Sequence, residues 1–244
     1  MDRRDETTGH VAGPDRQGET GPAVTDAATL SARAAQAIEA DILAGRLAPD
    51  ARLGIAETAA RYGVGATPLR EALSRLAARG LVHARGNRGF RVTPISRADL
   101  ADIVLIRGVI EREALRLAMA RGDAEWEAAI LAALHRLRRH VGDDPRGFRE
   151  GDAAFDALHK AFHAALIAAC GSPRLLAAQA QLYDEAYRYR RLMMANFPSP
   201  DAFLTGHERL ARLVIARQDA ACAALGEHIA STLTLVYPAR ERVS

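Results

Sequence analysis

The chain has 244 residues, 49% of them apolar and 26% charged, enough apolar material for two ordinary domains, which excludes a fibrous or wholly disordered protein. Its formal charge is +3 and its pI is near 9.2, a mildly basic balance whose meaning rests on where the charges cluster. Two cysteines without a CxxC spacing, Cys170 and Cys222, exclude a disulfide framework and a thiolate metal site, and they fit a reducing, cytoplasmic setting.

The first segment, residues 1–28, is rich in Gly, Thr, Asp and Pro, with too little apolar surface to offset the entropy of ordering it; it is expected to be a disordered tail. It lacks the apolar core of a signal peptide, and the longest uncharged run, 161–173, is too short to span a bilayer. No membrane partner is expected.

From Leu30 the apolar positions recur with helical spacing through Ala34, Ala37, Ile38 and Ile42, and Gly45 ends the helix. RLAPDARL reads as a turn. A short helix is expected over 55–62, broken by Gly63, and another from Thr67 to Arg79, with Thr67 as its N-cap and Pro68 at its first position. Two β-prone runs, LVHA and GFRVTP, flank the basic turn RGNRG. Helix, helix, turn, helix, hairpin is the order of a winged helix-turn-helix, placed at 29–95.

That block holds ten arginines against five acids, so most of the net charge lies on it. Phosphate neutralisation supplies sequence-independent affinity for DNA, while side chains near the start of the third helix can reach base edges in the major groove. Arg52, Thr67, Arg70 and Arg75 are candidates for such contacts, with Asn87, Arg88 and Gly89 at the wing tip for the neighbouring minor groove. Charge and spacing alone leave open that the arginines merely solvate a small domain, or that the domain binds an acidic partner other than DNA.

Beyond Pro94 helical periods dominate, interrupted at Gly122, at 142–147, at 171–173 and at 196–201. This predicts about six helices packed as an all-α bundle over 96–240, so the fold class expected is mainly α with one small β-hairpin. His159 and His163 are one turn apart on a single helix face and can hold one ion; His207 and His228 lie on two later helices that a bundle can bring to the same point. Imidazole donors suit Zn, Ni or a similar divalent transition ion. The pair HKAFH also has the spacing of a zincin helix, so a metal-dependent hydrolase is the alternative, but Lys160 stands where that chemistry needs a glutamate base.

The stretch from Arg52 to Ser96, above all TPLREALSRLAARGLV followed by NRGF, resembles the DNA-binding domain of the GntR family. The family often has an arginine just before the helix-capping Thr; here that position is Ala66, so the base contacts there are expected to differ. The phrases IRGVIEREALRLA, HKAFHAALIAACGSPRLL and GHERLARLVIARQDAACAALGEHI resemble the FadR-like (FCD) sensor domain and are most similar to its CsiR-type members. The resemblance implies a homodimeric transcription regulator, a repressor, bound to an operator with an inverted repeat and controlled by a small carboxylate such as glutarate. It also implies a metal site of one acidic residue and three histidines. His163, His207 and His228 fall on the three histidine positions, but His159 stands where Asp is usual. Two arrangements follow: an all-histidine site, or three histidines completed by Asp156 or water. An all-imidazole site carries less negative charge and tolerates an anionic ligand better. Arg107 and Arg190 are candidates for pairing with a carboxylate, with a surface ion pair between Arg107 and Glu111 as the alternative for the former.

Overall fold

The computed structural model describes residues 23–85, 89–143, 148–149, 151–193 and 197–238. Helix α1 (Ala23–Leu43) leads into strand β1 (Arg52–Leu53), helices α2 (Ile55–Tyr62) and α3 (Ala66–Ala78), and strands β2 (Val82–Ala84) and β3 (Phe90–Val92). The three strands form an antiparallel sheet in the order β1-β3-β2, in which Arg52 faces Arg91 and Val82 faces Val92. A core of Ile38 and Ile42 from α1, Leu69, Leu73 and Leu76 from α3, and Leu53, Val82 and Val92 from the sheet holds this part together.

Three features depart from the sequence reading. Helix α1 begins at Ala23, ahead of Leu30, because a helix already nucleated gains one hydrogen bond for each residue added at its end. Strand β1 lies inside the run expected to be a turn; two residues are too short to show a period, and pairing with β3 makes them a strand. Finally, the N-cap of α3 is Gly65 rather than Thr67, so Thr67 and Pro68 both sit inside the first turn. Proline is tolerated there because the first N–H groups of a helix have no partner in the helix to lose.

The second part is built from α4 (Arg97–Arg121), α5 (Ala124–Asp143), α6 (Ala153–Ile167), a 3-10 turn (Ala168–Cys170), α7 (Pro173–Met193), α8 (Pro200–Ile215) and α9 (Ala220–Val236). Ser96, Asp152 and Ser199 cap α4, α6 and α8 with their side-chain oxygens, as their positions before each apolar run allow. Pro200 takes the first position of α8. A continuous apolar core joins the six helices, with Leu115, Ile130, Phe162, Leu166 and Val214 essentially inaccessible to solvent. Helix α4 packs between α7 and α9, and α5 packs on α6 and α8, which brings the inner faces of α6, α8 and α9 together. Among the described residues no helix is long and apolar enough to cross a membrane.

Candidate metal centre and nucleic-acid interface

The inner face of α6 presents His159 and His163 one turn apart; α8 contributes His207 and α9 contributes His228. The Nε2 atoms meet: His159 to His163 and His159 to His207 at 3.1 Å, His163 to His228 at 3.3 Å, with all four donors within 4.8 Å of one another. His207 donates its Nδ1–H to the carbonyl of Phe203 at 2.7 Å, which leaves the lone pair on the Nε2 that faces the cluster. Burial and the neighbouring imidazoles push His159 and His163 well below their ordinary range, and burial holds His207 at about 4 and His228 at about 3. All four are therefore neutral at physiological pH. Four inward-facing neutral imidazoles cannot satisfy one another by hydrogen bonds alone, whereas a cation satisfies every lone pair at once. The donor set fits a divalent transition ion, whose N ligands at about 2.0–2.1 Å stand roughly 3.0–3.4 Å apart when adjacent.

Asp156 does not reach this cluster. Its carboxylate accepts from the backbone N–H of Gly151 at 3.0 Å and from the Tyr187 hydroxyl, nearer the start of α6 than the histidines. The grouping that the structure brings together is the four-histidine one.

Beside the cluster is a cavity of about 180 Å³ whose walls include His159, His207, His228, Arg190, Phe203 and Thr232. That volume suits a small metabolite rather than a drug-sized ligand. Arg190 is buried, with its guanidinium carbon 4.9 Å from the centre of the Tyr183 ring and 5.7 Å from that of Tyr187. Arg107 does not line this cavity: its Nε donates to Glu111 at 2.7 Å, and its guanidinium carbon lies 5.1 Å from the Tyr183 ring centre. The pair Arg107–Glu111 forms as its spacing allows, but at 2% and 1% exposure it is a core ion pair, not a surface one. Phe203 and Thr232 were not singled out from the sequence. Each is four residues from a cluster histidine, Phe203 before His207 and Thr232 after His228, and that shared helix face is the signal that could have found them.

On the winged part, Ala66, Thr67, Arg70 and Arg75 are all exposed, and Thr67, Arg70 and Arg75 lie on the side of α3 away from the buried Leu69, Leu73 and Leu76. Arg52 is exposed on β1, and Gly89 enters β3 with φ +88°, a conformation for which glycine is the natural residue. Asn87 and Arg88 lie outside the described residues. A convex helix face carrying two arginines and a threonine, with a core directly behind it, is what a major groove can accept.

The chain matches the family profile described as "Bacterial regulatory proteins, gntR family" over residues 30–92 and that of the "FCD domain" over 102–231. It is 39% identical over 207 residues to the uncharacterized HTH-type transcriptional regulator BphR of Paraburkholderia xenovorans, covering 82% of each protein. The chain belongs to the GntR family. Its similarity to GlaR of Escherichia coli, an HTH-type transcriptional repressor, is 35% over 204 residues, 82% of this chain and 92% of GlaR. Among solved structures, the GntR fold is shared with E. coli McbR/YncC at a TM-score of 0.65 and 20% identity, over 85% of this chain and 97% of that one. A putative GntR regulator from Rhodococcus aligns with a TM-score of 0.64 and 21% identity, over 85% of this chain and 97% of its own. This GntR protein is therefore a DNA-binding transcription regulator with a helical sensor domain and not an enzyme. Lys160, in the place of a zincin glutamate, pairs with Asp184 at 2.5 Å.

Proposed function

We propose that this GntR regulator is a repressor whose sensor domain holds a divalent transition metal, zinc or nickel, on His159, His163, His207 and His228, and that a small carboxylate such as glutarate binds beside it. The observation that carries this reading is the convergence of four imidazole nitrogens at one point, with three of those histidines, His159, His207 and His228, and the buried Arg190 on the walls of one 180 Å³ cavity. A metal held only by neutral ligands keeps its full positive charge, so one carboxylate of the ligand would bind the ion. The guanidinium of Arg190 would take the same or a second carboxylate. Arg107, paired with Glu111 and close enough to His163 and His228 to act on their charge, is the second candidate for a carboxylate of the ligand. Repression is supported by the similarity to GlaR, which is described as a repressor.

The DNA partner is a duplex with an inverted repeat, read by the α3 residues Ala66, Thr67, Arg70 and Arg75, with Arg52 and the wing residues Asn87, Arg88 and Gly89 against the backbone and the minor groove. Two half-sites require two copies of the chain. The homodimer is supported by α4, where Leu105 at 64% and Val109 at 56% exposure form an apolar strip beside a groove shared with α9.

Thermal-shift measurements with zinc or nickel, with and without small dicarboxylates and a chelator, test the sensor. A carboxylate shift that needs the metal is expected, and a shift equal with and without chelator overturns the site. Binding to fragments of the upstream region at moderate salt, with and without the ligand, tests the DNA reading. Equal affinity for random duplex abandons it.

A further inference from the structure

Helix α7 has two faces with different partners. Tyr183, Tyr187 and Arg190 lie on the face toward the sensor interior, and the Tyr183 ring centre is 6.3 Å from that of His159 and 5.9 Å from that of His163. Asp184, Glu185 and Arg188 lie on the face toward the winged domain. Arg188 donates to the carbonyls of Thr93 and Pro94 at 3.0 and 3.1 Å, the segment that links the two parts. Gly80, with φ +68°, lets the end of α3 approach so closely that an added Cβ would lie 2.6 Å from Oε1 of Glu185.

Across this seam runs a chain of ion pairs. Glu39 of α1 accepts both Nη groups of Arg79, at 2.5 and 2.6 Å; Arg79 Nη2 is 3.3 Å from Asp184; and Lys160 of α6 donates to Asp184 at 2.5 Å. The Lys160 ammonium also lies 5.9 Å from the Tyr183 ring centre. The same four charged residues line a cavity of about 170 Å³ between the two parts. Lys160 adjoins His159 and precedes His163 on one rigid helix, so any shift of α6 that fits the two imidazoles to an ion moves the ammonium as well.

We propose that Glu39–Arg79–Asp184–Lys160 is an interdomain latch that ties the seating of the DNA-binding domain to the position of the metal-bearing helix. The inference rests on the metal reading above for its regulatory half. Half-exposed ion pairs are individually weak, which suits a contact made and broken by a ligand better than a permanent clamp. An effector can move the winged domain only through contacts that differ between two arrangements, and this chain supplies such a contact with one end on each domain. Asp184 is its node, since among the described residues it joins the sensor cation to the winged-domain cation. These are positioning residues: none of the four lines the cavity beside the histidines.

The test is hydrogen–deuterium exchange on the full chain, with Zn²⁺ as the probe, comparing wild type, Lys160→Met, Asp184→Asn and the double variant carrying both. Without metal, both single variants are expected to exchange severalfold faster over residues 79–84 than wild type, with α6 unchanged. Zinc is expected to protect α6 in every variant, to alter exchange over 79–84 in wild type, and to lose at least four-fifths of that distal effect in the single variants. In the double variant the metal-free exchange over 79–84 is no faster than in Asp184→Asn alone, whereas two independent structural loosenings would add. Equal exchange over 79–84 in wild type and variants, or a double variant whose effect is the sum of the two single ones, overturns the latch while leaving the metal site standing. Zinc that fails to protect α6 in wild type overturns the metal reading and, with it, the regulatory half of the latch.

Discussion

His207 is committed to its task before any ligand arrives, because one ring nitrogen is held by the Phe203 carbonyl and the other is aimed at three more imidazoles. Desolvation is the main cost of protonating this ring, and it holds the group at about 4 against an ordinary value of 6.5. The sign for stability follows. The unfolded chain takes up a proton on this ring below about pH 6.5 while the folded chain resists until about 4, so the stabilising effect is complete above 6.5 and is lost as the pH falls toward 4. For His207 alone the full loss is on the order of 3 kcal/mol. His228, held at about 3, works in the same direction over a wider window. Urea unfolding of the metal-free protein should show a falling midpoint between pH 6.5 and 5, before ordinary carboxylates titrate, and a flat midpoint over that interval would contradict the neutral cage. His159 tests the charge argument. His159→Asp puts the family's usual acid back, and because it adds a negative charge beside the ion it should retain zinc but weaken a dicarboxylate roughly tenfold, as read by calorimetry on the zinc-loaded protein.

At the scale of elements, the junction between α8 and α9 shows what could and could not be read in advance. The helices themselves are legible: apolar spacing places α2 at its observed limits, the break at Gly122 falls between α4 and α5, and those at 171–173 and 196–201 reach into the first residues of α7 and α8, which open on Pro173 and Pro200. The histidine spacing on α6 was equally legible, since residues four apart must share a face. The break at 216–219 carries no glycine or proline. Arg217 makes it, with φ +48°, by reaching across to accept a place outside its own helix: it donates to the Met119 carbonyl at 3.1 Å and the Gly122 carbonyl at 2.8 Å, pairs with Glu127, and lies 5.8 Å from the Trp126 ring centre. A turn stabilised by contacts with residues about a hundred positions away has no local signature. The burial of Arg107–Glu111 escaped for the same reason, because an i,i+4 pair reads identically on a wet face and a dry one. Arg217→Ala removes the contacts and keeps the unfavourable φ, and should cost about 1–2 kcal/mol. Arg217→Gly removes the same contacts but suits the left-handed backbone, so its melting temperature should fall less. If glycine proves as costly as alanine, the backbone conformation contributes nothing there.

At the scale of the molecule, the proposed DNA contact and the proposed dimer are linked by a single quantity, the dependence of binding on salt. Arg70 and Arg75 on α3 and Arg52 on β1 give each copy one small cationic face. An operator with two half-sites is gripped by two such faces, and the second contact is made at the high effective concentration that the dimer enforces. Counterion release scales with the number of phosphates neutralised, so the slope of log affinity against log salt counts faces, not merely strength. Arg70→Ala should weaken binding by about 1–3 kcal/mol and relax the preference for one base pair in each half-site if it reads a base edge, whereas a phosphate contact would weaken all sequences alike. Changing the exposed strip on α4 asks a different question. Leu105→Glu with Val109→Glu alters side chains that are already in water in a single chain, so the fold should survive, but burying two carboxylates against their own symmetry copies opposes the dimer. Sedimentation should then report half the mass, with operator affinity down roughly a hundredfold or more and the salt slope close to half its original value. A halved mass with an unchanged slope would mean that one copy already makes every phosphate contact, and the inverted repeat would have no role in recognition. An unchanged mass would instead move the dimer contact to another face of the molecule.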